Sequence, residues 1–126
     1  MKPETAEWLD KAEGDWKVAQ REMQAADPVW NVVCFLAEQC AEKYLKGFLE
    51  EQNIAFQKIH DLVVLLNASA GLLPALEPLK PQLAHLSTFG IAARYPGVHA
   101  DRYAAESAMR IGEEVRTAVR SSLGLQ

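Results

Sequence analysis

The sequence predicts an all-α protein, a five-helix up-and-down antiparallel bundle, and three observations lead there. Apolar residues recur at alternating spacings of three and four, the repeat of a helix that buries one face. β-Branched residues are few, and no stretch alternates apolar and polar residues as a half-buried strand would. Proline, glycine and Asp/Asn punctuation divides the chain into five such segments with short connections, which places successive helices antiparallel.

The first helix is expected from Pro3 to Ala25, with Trp8, Ala12, Trp16, Ala19 and Met23 on one stripe and Pro3 in the first turn, where its missing N–H costs nothing. Asp27-Pro28 separates it from the second, with Asp27 as the expected N-cap. That second helix, Pro28 to Gln52, carries Trp30, Cys34, Ala37, Ala41, Tyr44 and Phe48 at helical spacing. Val33, Leu36, Cys40, Leu45 and Leu49 widen its apolar surface far beyond one seam, so it should sit at the centre of the bundle. Asn53 suits a left-handed C-cap. The third helix is expected over Lys58 to Ala70, with Ile59, Leu62, Val63 and Leu66 inward and Gly71 as its stop. Three prolines between Leu72 and Pro81 predict a turn or an irregular start. The fourth helix then runs from Pro81 to Arg94, with Leu83, Leu86, Gly90 and Ala93 inward, and Pro96-Gly97 stops it. Asp101 is the expected N-cap of the fifth, which reaches Leu123 with Ala104, Ala108, Ile111, Val115, Ala118 and Ser122 on one face.

At 126 residues the chain is one domain, residues 1–126, large enough for a single core. No apolar run approaches the roughly 20 residues of a membrane span, so no membrane association is expected. The N-terminal segment lacks the apolar core of a secretion signal, which predicts a cytoplasmic protein. Cys34 and Cys40 lie six apart on one helix and face different ways, the pattern of two reduced core thiols. Three scattered histidines offer no zinc spacing, and neither a metal nor a cofactor is expected. A net charge of −4 means that any nucleic-acid contact needs a local basic patch.

Three groups of residues could carry chemistry. Glu38, Gln39, Glu42, Lys43 and Lys46 line the polar side of the second helix. One reading is a solvated strip, in which Glu42 and Lys46 form an i,i+4 pair worth roughly 0.2–0.5 kcal/mol. The other makes Lys43 and Lys46 cations beside a groove, suited to phosphate. His60-Asp61 opens the third helix, either as cap and packing or with His60 as a pH-sensitive ligand. Arg94-Tyr95-Pro96-Gly97-Val98-His99 is the most reactive string: the arginine fork can hold a phosphate and the histidine can move a proton. Metal-free RNA cleavage needs about that much, a base for the 2′-hydroxyl and a cation for the phosphorane. Alternating Arg102, Glu106, Arg110 and Glu113, with Arg116 and Arg120 beyond, reads as a solvated face of the fifth helix. Serine nucleophiles, glycine-rich phosphate loops and clustered carboxylates are missing from the sequence.

Taken in order, several strings resemble the HEPN family (higher eukaryotes and prokaryotes nucleotide-binding). They are Trp8-Leu9 with Lys11-Ala12-Glu13-Gly14-Asp15, then Ala37-Glu38-Gln39-Cys40-Ala41-Glu42-Lys43-Tyr44-Leu45-Lys46, His60-Asp61-Leu62 and Ala93-Arg94-Tyr95-Pro96. The resemblance covers nearly the whole chain and implies a five-helix bundle, a homodimer and a minimal nucleotidyltransferase partner, in some members as a toxin–antitoxin pair. It also implies a nucleotide or RNA ligand, for which the residues themselves offer Lys43, Lys46, His60, Arg94 and Tyr95 as candidate phosphate contacts. In the ribonuclease branch of the family an Arg-x4–6-His motif forms a composite site at the dimer interface, which Arg94 and His99 match in spacing. Nuclease members commonly follow the arginine with Asn, Asp or His. This chain has Tyr95 there, and its Arg-Tyr-Pro string resembles a different branch.

Overall fold

The computed structural model describes residues 1–92 and 95–126, the side chain of Ile91 aside. Its helices are α1 (Pro3–Met23), α2 (Trp30–Glu51), α3 (Leu62–Ala68), α4 (Lys80–Ala92) and α5 (Arg102–Ser122), with a short 3-10 helix, Pro74–Leu79, leading into α4. The fold is the predicted five-helix bundle, with no strand among the described residues.

Most element boundaries follow local chemistry. Asn53 adopts φ 60° and ends α2 as a left-handed cap. Asp101 accepts from the Ala104 N–H at 2.8 Å and opens α5. Ala70 and Gly71, at φ 54° and 79°, turn the chain after α3. Two expected starts are corrected. Asp27 does not cap α2: that helix begins at Trp30, and the N–H of the preceding Val29 donates to the Glu22 carboxylate at 2.9 Å. A carboxylate from α1 thus replaces a local one. Residue Lys58 does not begin α3, because it sits at φ 64°; Asp61 caps the helix instead, accepting from Val63 and Val64 N–H at 2.9 and 3.1 Å. The proline-rich stretch forms the 3-10 turn, and the expected Ala93 and Arg94 end of the fourth helix lies outside the described residues.

Helix α2 is the central strut, packed by α1, α3, α4 and α5. Val33, Cys34, Ala37, Cys40, Ala41, Tyr44, Leu45, Phe48 and Leu49 are all buried, and Leu9, Trp16, Leu62, Leu65, Leu66, Leu83, Leu86, Val115 and Val119 close around them. The buried face of α5 is centred on Ala105, Ala108, Gly112, Val115 and Val119, about one residue round from the expected stripe, leaving Ala104, Ile111 and Ala118 at its margin. Both thiols are buried and unbridged, and burial pushes the Cys34 thiol up to about 11.

The polar strip expected on α2 is not solvated. Glu38, Glu42 and Lys46 are only 2%, 7% and 6% exposed: Glu38 packs under Gly90 of α4, Glu42 lies beside His60 ahead of α3, and Lys46 lies against Trp8 of α1. Arg116 and Arg120 likewise leave the solvated face expected of α5. Arg116 grips Glu13 of α1 with two bonds, Nε to Oε2 at 2.6 Å and Nη2 to Oε1 at 2.7 Å. The buried Tyr44 hydroxyl donates to the same carboxylate at 2.5 Å and accepts from Arg120 at 3.3 Å. One carboxylate therefore joins α1, α2 and α5.

The Arg116 guanidinium holds the Glu13 carboxyl below its ordinary value, against the opposing effect of burial. A depressed carboxyl stabilises the fold fully above the unfolded-state value of about 4.3, and that contribution is lost as pH falls through the lower folded value. Arg116→Gln should therefore lose stability at neutral pH, with a gap to the native protein that is smaller at pH 3 than at pH 7. Urea midpoints compared at the two pH values check this. A constant gap between the proteins would show that Glu13 is not the coupled group.

Candidate functional site

Of the segment joining α4 to α5, residues 98–100, just ahead of α5, are held in place from an unexpected direction. Asn31, in the first turn of α2, donates from Nδ2 to the Val98 carbonyl at 3.0 Å and accepts on Oδ1 from the Ala100 N–H at 2.6 Å. These two bonds fall on either side of His99, so the backbone at that residue is tied to α2 while its side chain stays exposed. Tyr95 and Tyr103 are 62% and 75% exposed on the same segment and the start of α5. The Arg102 guanidinium lies 5.3 Å from the centre of the Trp30 ring, a second tie between the two helix starts. Val29, Val32 and Val98 add exposed apolar surface here. Arg94 lies outside the described residues.

Lys43, Lys46 and His60 occupy a different part of the molecule. Asn31 and Glu42 are eleven residues apart on α2, about 16 Å of helix rise, so the His60–Glu42 cluster does not merge with the α4–α5 segment. Lys46 is buried with its ammonium 3.0 Å from Glu42 and 5.6 Å from the centre of the Trp8 ring. The same Glu42 oxygen lies 3.4 Å from His60 Nδ1, with the His60 ring mostly in solvent. Lys43 is paired with Asp15 at 2.5 Å. It does border a groove, between α1 and α2, but Glu4, Glu7 and Glu50 line it beside Trp8, Lys11 and Lys43. Each α2 lysine is thus neutralised by a carboxylate of the fold, and the groove carries more acids than bases.

Between the two regions lies Glu38. It accepts from the Gln39 side chain at 2.8 Å, and its carboxylate packs under Gly90 of α4 so closely that a Cβ there would come within 2.8 Å of it. Gly90 thus lets α4 approach a buried acid. The second helix therefore presents Glu38, Glu42 and Lys46 along one covered stripe at i, i+4 spacing.

Sequence reasoning missed Asn31. An asparagine in the first turn of a helix carries no motif, and nothing in the sequence marked it. Among the described residues, no group of three His, Cys, Asp or Glu side chains is placed to hold a metal ion, and no helix is long and apolar enough to cross a membrane.

Comparison with known proteins points one way. The family described as HEPN domain matches residues 5–122 of the chain. No curated protein gives a significant match. Among solved structures, the crystal structure of ST0689, an archaeal HEPN homologue, is similar at 25% identity and a TM-score of 0.71, covering 96% of this chain and 98% of the other.

Proposed function

The chain belongs to the HEPN domain family, and from that premise we propose that it binds the phosphate of a nucleotide or nucleic acid at the α4–α5 segment. In this reading it is a cytoplasmic homodimer that serves a minimal nucleotidyltransferase, as one half of a toxin–antitoxin-like pair. One observation carries the choice of place: His99 is exposed between two backbone groups held by Asn31, with Tyr95 exposed four residues before it, whereas Lys43 and Lys46 already face carboxylates. Tyr95 offers a ring face for a base, His99 a donor for a phosphate oxygen, and Arg94, adjoining Tyr95 in sequence, a bidentate fork. His60 and the two α2 lysines are assigned a supporting role, stabilising the bundle.

Titration with nucleotides and short RNAs tests this. Micromolar to millimolar binding is expected, weakened about tenfold or more in Arg94→Ala and His99→Ala, each a loss of roughly 1.4 kcal/mol. Binding unchanged by both substitutions would remove the segment from the site.

The second reading, a metal-independent ribonuclease, is favoured by the exposure of His99, whose ring is open to a 2′-hydroxyl. Arg94 would stabilise the phosphorane and His99 act as general base. This reading expects RNA cleavage in EDTA that disappears in His99→Ala, and intact RNA after incubation with the native protein refutes it.

A further inference from the structure

We infer that Asn31 is a positioning residue for His99, an inference that rests on the reading of the α4–α5 segment as the ligand site. An asparagine side chain is planar and presents one acceptor and two donors on a short stem. Here it meets a C=O and an N–H that flank a single residue: Val98 receives its Nδ2 hydrogen at 3.0 Å and Ala100 donates to its Oδ1 at 2.6 Å. The orientation of the carboxamide follows from these partners, because the Ala100 N–H requires an oxygen and the Val98 carbonyl a nitrogen.

The consequence concerns entropy. Fixing the backbone of one residue costs about 1–2 kcal/mol of conformational freedom, and a flexible segment meets that cost at the moment of binding. Asn31 meets it beforehand. It also ties the segment to the first turn of α2, the helix around which the whole core is built. Among the described residues, the nearby contacts do not duplicate the clamp. Asp101 caps α5 through Ala104, and Arg102 lies over Trp30, both after His99 in the chain. Before His99, the Val98 carbonyl is held by Asn31. His99 itself is exposed, so its ring is free to take a ligand while its backbone stays put.

The experiment is a double-mutant cycle read by binding of a short mixed-sequence single-stranded RNA. Asn31→Ala should weaken binding about tenfold when His99 is present and less than twofold in a His99→Ala background, because its effect passes through the histidine. Asn31→Asp keeps the acceptor for Ala100 but sets a carboxylate oxygen against the Val98 carbonyl, so it should also weaken binding while leaving the fold intact. Amide hydrogen exchange at Ala100 supplies the physical readout: protection is expected in the native protein, lost in Asn31→Ala and kept in Asn31→Asp. Equal losses from Asn31→Ala with and without His99 would overturn the inference, as would an Ala100 amide that exchanges no faster in Asn31→Ala. RNA binding undiminished by His99→Ala would instead refute the site reading, and the role given to Asn31 would fall with it.

Discussion

Replacing Glu42 by alanine should cost the fold about 3–5 kcal/mol, the penalty of leaving a buried charge without its partner. Glu42 and Lys46 are 3.0 Å apart with side chains almost wholly covered by the neighbouring elements. Without the carboxylate, the Lys46 ammonium retains, among the described residues, the Trp8 ring at 5.6 Å, and a cation–π contact is worth about 0.5–2 kcal/mol. His60 loses the same carboxylate at little cost, since its ring already stands mostly in water. The loss is a large share of the roughly 5–15 kcal/mol that holds a domain of this size together. Removing both charges, as Glu42→Leu with Lys46→Met, should recover most of it, because apolar replacements fill the space without a desolvated ion. Urea unfolding followed by circular dichroism measures all three proteins. A Glu42→Ala variant within 1 kcal/mol of the native protein would mean that Lys46 swings into water, and the pair would then be an ordinary surface contact.

Gly47→Val should be comparably damaging, about 3 kcal/mol, through steric rather than electrostatic means. A Cβ on Gly47 would lie 2.5 Å from Leu9 Cδ1, 3.2 Å from Trp8 Cβ and 3.7 Å from the Thr5 carbonyl. Leu9 is a flexible side chain, but it is buried in the core. The Trp8 Cβ cannot retreat unless α1 moves, and that movement disturbs the edge contact of Trp8 with Phe56 at 5.7 Å. Alanine at the same place gains about 1 kcal/mol of helix propensity, which offsets part of the overpacking. The expected order of stability is therefore glycine, alanine, valine, with the large step between the last two. A valine variant as stable as alanine would show that α1 and α2 can separate without cost.

How much of this was legible in the sequence depended on the range of the forces involved. The helices, the central place of α2, the Asn53 and Asp101 caps and the break at Gly71 follow from spacing and from single-residue backbone preferences, which act locally. The start of α2 was misread because its N–H at Val29 is satisfied by Glu22 across a turn, while Asp27 merely has the right side chain. The start of α3 was misread because Ile59 continues the apolar repeat through Lys58, a residue whose backbone is left-handed. Helix α2's charged strip was the largest surprise. Glu38, Glu42 and Lys46 look solvated by composition, and only the fold shows them covered, Glu38 by α4 at Gly90 and Lys46 by α1 at Trp8. At the candidate site, the reactive types were visible in the Arg94–His99 string. The clamp was not, because Asn31 lies more than sixty positions from the residues it holds.

Each of the chain's three tryptophans has a cation over its ring: Lys46 over Trp8, Arg116 over Trp16 and Arg102 over Trp30. Because indole emission responds to nearby charge, the protein carries three intrinsic optical reporters at separate stations. Trp8 watches the Glu42 cluster, Trp16 the three-helix junction at Glu13, and Trp30 the end of the bundle where Asn31 holds the His99 segment. With Trp8 and Trp16 replaced by phenylalanine, occupancy at that end is thus open to observation through the emission of Trp30, without a label.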